Sequence, residues 1–80
     1  MPKRAHPDYY YTMRDEIVTL MDDQAGRPFD ATNYRNQFRV VAIRHKIYPG
    51  SDGYGAHFRI IQGMVSQKLT KMKPRQLSLA

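Results

Sequence analysis

Residues 9–24 carry the clearest pattern in the chain. Tyr10, Met13, Ile17, Leu20 and Met21, closed by Gln24, follow helical steps of three and four residues, the signature of an amphipathic helix. Arg14, Asp15, Asp22 and Asp23 fall off that stripe. Asp8, after Pro7, suits an N-cap, and Thr12 with Asp15 makes a weaker second one. Gly26 followed by Arg27-Pro28 predicts the stop, because glycine takes a left-handed C-terminal conformation and proline cannot continue a helix.

A second helix is expected from residue 30 to about 46. Asp30 is its natural N-cap, and Ala31, Tyr34, Phe38 and Val41 recur at three- and four-residue steps. Arg35, Arg39 and Lys46 fall in one narrow sector beside that stripe, since four and eleven residues are each close to whole turns. Val40, Ile43 and Ile47 lie on a further side, with Arg44 among them. The β-branched run 39–43 also suits a strand, and a break near 36–38 would give two short helices; one helix is the preferred expectation.

The segment IYPGSDGYGAHFRI, residues 47–60, changes character. Its flanks are β-prone, Asp52-Gly53 is a strong turn signal, and Phe58 and Ile60 alternate with His57, Arg59 and Ile61. A glycine-tipped β-hairpin is predicted. Ile61, Val65, Leu69 and Met72 then step by four, four and three, giving a short C-terminal helix that Pro74 ends.

Helices, a glycine-tipped hairpin and a short helix make an α+β chain of one domain, residues 1–80. Residues 1–7 read as a flexible basic arm and residues 74–80 as a frayed tail. This order resembles a winged helix in general layout. That resemblance implies a recognition helix in the major groove and a wing on the backbone or minor groove.

Composition narrows the chemistry. Eighty residues with 41% hydrophobic content, six Tyr and three Phe support one small core with a thin margin. A homodimer would widen that margin. With no cysteine, disulfides, thiolate metal sites and thiol catalysis are excluded. No apolar run approaches a membrane span, MPKRAHPDYYY lacks the apolar region of a secretory signal, and the cytoplasm is the default expectation.

Charge is more telling in its distribution than in its total of +6. Residues 1–30 carry six acids and four bases, and residues 31–80 carry nine bases with Asp52 as their one acid. Such polarity points one face at a polyanion. The expected contacts are Asn33, Arg35, Asn36, Arg39, Arg44 and Lys46 on the second helix; Tyr54, His57 and Arg59 on the wing; and Lys68 and Lys71 on the last helix, with Lys73 and Arg75 extending the field. Arginine forks suit phosphates and guanine, and amides suit adenine edges. Duplex DNA is the preferred partner for a non-enzymatic regulator, of phage or mobile-element type. A protein-binding inhibitor or adaptor and an RNA-binding protein are the alternatives.

Other chemistries fit less well. No lysine follows Gly53 or Gly55, so a phosphate loop is rejected. Gly53, Tyr54 and Gly55 match part of an RNA-recognition strand, but Asp52 and Ala56 stand where it needs a cation and an aromatic ring. His6, His45 and His57 define no catalytic spacing. His45 and His57 alone are one ligand short of a usual zinc site. No enzyme, metal or cofactor is expected.

Overall fold

Each helix of the fold is built on a line of buried side chains at helical spacing. A computed structural model describes residues 5–72, in which α1 spans Asp8–Leu20, α2 Ala31–Arg44 and α3 Tyr54–Lys71, with a 3₁₀ turn at Asp22–Gln24. The core takes Met13, Ile17 and Met21 from α1 and the turn after it. Tyr34, Phe38 and Val41 come from α2, and Ile61, Val65 and Leu69 from α3. Burying a side chain of this size is worth about 1.5–3 kcal/mol.

The first two helices match the hydrophobic pattern closely. α1 keeps the predicted stripe, except that Leu20 is exposed while Val18 is buried. Pro7 holds the N-cap position and Asp8 is the acid of the first turn, where a carboxylate favours the helix dipole. Thr12 turns its hydroxyl back to the Asp8 carbonyl, 3.4 Å away, so it does not cap. At α2, Asp30 caps as expected, its Oδ1 accepting from the Asn33 backbone N–H at 3.0 Å. The helix runs unbroken through 36–38, and 39–43 is helical.

α2 ends on a Schellman motif. The Lys46 N–H reaches the Ile43 carbonyl at 3.0 Å, and the Ile47 N–H reaches Ala42 at 2.9 Å, the two bonds that define this cap. Lys46 occupies the left-handed position, at φ +62, where glycine is usual. Lys46 therefore lies outside the helix, and the wheel that grouped it with Arg35 and Arg39 does not reach it.

The hairpin and the wing are not formed: no strand exists among the described residues. The α+β, winged-helix-like expectation is corrected to an all-helical fold of three helices. The segment 47–53 makes two successive turns instead. The Ser51 N–H bonds the Tyr48 carbonyl at 3.0 Å, and the Tyr54 N–H bonds Ser51 at 3.2 Å. Gly50 and Gly53, each third in its turn, have φ +85, the left-handed backbone that a type II turn requires there. The chain is thereby reversed between two helices. α3 then starts at Tyr54, seven residues before the stripe recognised in the sequence, and Tyr54 and Phe58 extend that stripe at steps of four and three. The alternation of Phe58 with Ile60 was misleading, since Ile60 stays 36% exposed.

Side-chain contacts fix the helix order in space. The Tyr9 hydroxyl lies 2.7 Å from His57 Nε2 at one end, and the Gly26 N–H meets the Leu69 carbonyl at 3.4 Å near the other, so α1 and α3 run in the same direction. Tyr34 meets Phe58 and Phe38 meets Tyr54, so α2 runs against α3. Phe29, Tyr34, Phe38, Tyr54 and Phe58 form one ring cluster, with neighbouring centroids 5.0 to 5.7 Å apart. Within it the fully buried Tyr34 donates its hydroxyl to the Phe58 carbonyl at 2.7 Å.

That phenol gives a pH dependence with a definite sign. Burial, and then the nearby Tyr54, hold the Tyr34 hydroxyl protonated well above its ordinary range, whereas an unfolded tyrosine ionises near pH 10. Its contribution to stability is complete below pH 10. Above that, proton loss favours the unfolded chain by about 1.4 kcal/mol per pH unit. Urea midpoints measured from pH 8 to 11.5 will fall beyond pH 10, and Tyr34→Phe will flatten the decline. An equal decline in the variant would assign it to other groups.

No helix among the described residues is long and apolar enough to cross a membrane. The frayed tail expected for residues 74–80 and the first four residues of the expected arm lie outside the described residues.

Candidate nucleic-acid interface

The outward face of α2 has an ordered composition. Opposite the core positions Tyr34, Phe38 and Val41, a ridge of Thr32, Asn36, Val40 and Ile43 faces solvent, with Val40 46% and Ile43 43% exposed. At 100° per residue, Arg35 and Arg39 fall on one side of that ridge and Arg44 on the other. All three arginines are exposed, and none is ion-paired to a carboxylate among the described residues. The ridge thus offers an amide and two branched alkyl groups between cationic flanks.

On the Arg35 side, α2 and the start of α3 enclose an open cleft of about 400 Å³. Arg35, Asn36 and Arg39 supply its polar rim, and Tyr54 and Phe58, with Pro49, its apolar lining. Both rings lean edge-on against Phe38, at centroid distances of 5.2 Å, so the core fixes the cleft from behind. Gly55 completes the lining, and no atom lies within 4 Å of where its Cβ would stand.

The remaining expected contacts are spread over other surfaces. Asn33 is half-buried and held locally, its Oδ1 accepting from Gln37 Nε2 at 3.2 Å. Lys46 is exposed beyond the end of α2, and Arg59 is exposed on α3. His57 belongs to no wing. Its Nδ1 is 2.7 Å from the Gly53 carbonyl, and its Nε2 meets the Tyr9 hydroxyl. Nδ1 donates to that carbonyl, and burial is the main cause that pushes the ionisation of Tyr9 up. His45 Nε2 instead meets both Glu16 oxygens at 3.3 Å, so the two imidazoles are not joined at one site. Among the described residues no three histidine or carboxylate groups converge as a metal site would require.

Lys68 and Lys71 line a second cleft, of about 310 Å³, with Arg14, Tyr11 and His6. Asp15 weakens its field, lying 2.8 Å from Arg14 and 3.7 Å from Lys68. Arg14 was not singled out as a contact by the sequence. Helical register places Phe58 beside Arg39 only once α3 is known to start at Tyr54. Lys73 and Arg75 lie outside the described residues.

Searches of family models, curated proteins and solved structures give no match to this chain.

Proposed function

We propose that this chain is a non-enzymatic, nucleic-acid-binding regulator whose α2 lies in the major groove of duplex DNA. The observation that carries this reading is the outward face of α2, with Asn36, Val40 and Ile43 central and, on its flanks, Arg35, Arg39 and Arg44, none of them ion-paired among the described residues. Arginines at those flanks reach phosphates on either side of a groove. The central amide suits an adenine edge, and the alkyl groups suit thymine methyls. His57 spends both ring nitrogens, and His45 its Nε2, on contacts within the fold, which supports binding over catalysis.

Titration of a labelled 20-base-pair duplex at several salt concentrations tests the reading. Three phosphate contacts predict a slope of log K against log salt near −3, so affinity falls roughly fortyfold between 50 and 200 mM. A flat salt dependence would overturn it. Exposed Val40, Ile43 and Tyr48, the last 51% exposed, favour a second reading, in which the same face meets an acidic protein surface. That reading gains if the slope is flat and α2 variants lose a protein partner instead.

A further inference from the structure

We infer that the cleft between α2 and α3 receives one unpaired base from the strand whose phosphates Arg35 and Arg39 hold. The inference rests on the nucleic-acid reading above and extends it from a groove-facing helix to a pocket beside it.

The cleft combines the three features that such a base needs. Tyr54 and Phe58 are half-buried, present ring surface to the cleft, and are fixed edge-on by Phe38. Pre-positioned rings lose little freedom when a base stacks, and every base has a π-face to stack. Arg35 and Arg39 stand at the rim, where the sugar-phosphate of an inserted nucleotide must emerge, and among the described residues no carboxylate lines the cleft to oppose it. Asn36 adds one amide with both a donor and an acceptor for a base edge. A volume of about 400 Å³ lies within the range of about 300–1,000 Å³ usual for small-ligand sites. A paired base cannot use these rings, because its faces are covered by its neighbours in the stack. The cleft therefore distinguishes an unpaired nucleotide from a paired one, which the α2 ridge alone cannot do.

Gly55 gives a clean way to close the cleft. Its backbone is not in the left-handed region, and a Cβ there meets nothing within 4 Å. Larger side chains at this helical position add helix propensity and occupy the cleft without disturbing the core. Gly55 is not part of the groove-facing ridge.

The experiment compares a 20-base-pair duplex with the same duplex carrying one extra, unpaired 2-aminopurine. The wild-type chain is expected to bind the bulged duplex about tenfold more tightly, with quenching of the 2-aminopurine fluorescence. Gly55→Leu should remove both the preference and the quenching. Its affinity for the paired duplex should stay within about twofold and its thermal midpoint should be unchanged or higher. Gly55→Ala, which adds one carbon into open space, should keep the preference. Equal affinity of the wild type for both duplexes overturns the inference and leaves the reading of α2 intact, as does a bulge preference that survives in Gly55→Leu. Failure to bind either duplex removes the reading itself.

Discussion

Reversing Arg35 and Arg39 together to glutamate will lower duplex affinity by roughly a hundredfold or more at 100 mM salt. The double variant changes the charge on one flank of α2 by four units, where no carboxylate of the described chain already compensates it. Removing the contacts without repulsion separates two parts of the effect. Arg35→Ala and Arg39→Ala should each make the salt slope shallower by about one unit, because each frees one phosphate from neutralisation. Arg59→Glu is the control, changing the net charge on α3 without touching the α2 flank, and should cost far less. All three positions replaced are exposed, so stability should move by less than about 0.5 kcal/mol, and circular dichroism should be unchanged. Affinity that survives the double reversal would exclude α2 as the contacting element.

The cations of this flank were legible because arginine, four residues, arginine within a 3.6-residue period needs only local geometry. The same holds for α1 and for the core line of α2. The misreading began at Asp52-Gly53. Turn chemistry specifies that the chain reverses at a left-handed residue; it does not specify what the reversal connects. Gly50 and Gly53 serve antiparallel helices as well as they would serve antiparallel strands. The β-prone residues from Tyr54 to Ile61 become helical through tertiary packing, since Tyr54, Phe58 and Ile61 fall on one face only in a helix and there meet Tyr34 and Phe38. Losing the first two turns of α3 from the sequence-based prediction hid the cleft, because its aromatic lining belongs to those turns. Lys46 and His57 were misplaced for related reasons. A non-glycine residue completing a Schellman motif and an imidazole tying Tyr9 to the Gly53 carbonyl both depend on neighbours that periodicity does not supply. The pairing of Lys68 with Asp15 likewise requires α1 and α3 to run side by side.

Phe38→Ala will cost about 3–5 kcal/mol, a large share of the stability of the fold. Phe38 is fully buried and touches the rings of Tyr34, Tyr54 and Phe58. It thereby joins the middle of α2 to the first turns of α3. Removing it loses the transfer energy of the ring, opens a cavity that three large neighbours cannot fill, and ends edge-on contacts each worth about 0.5–1.5 kcal/mol beyond their buried area. A domain of this length has about 4–12 kcal/mol of total stability, so the loss takes most of the lower half of that range. Tyr34→Phe marks the scale from below, since it keeps the ring and gives up one hydrogen bond, for about 0.5–1.5 kcal/mol. Phe38→Leu should fall between the two. Urea titrations should show the midpoints ordered Tyr34→Phe, Phe38→Leu, Phe38→Ala, with unchanged slopes as long as unfolding stays two-state. If Phe38→Ala shifted the midpoint by less than Tyr34→Phe does, the ring cluster would not be what holds α3 against α2. The cleft that depends on Tyr54 and Phe58 resting on Phe38 would then lose its rigid wall.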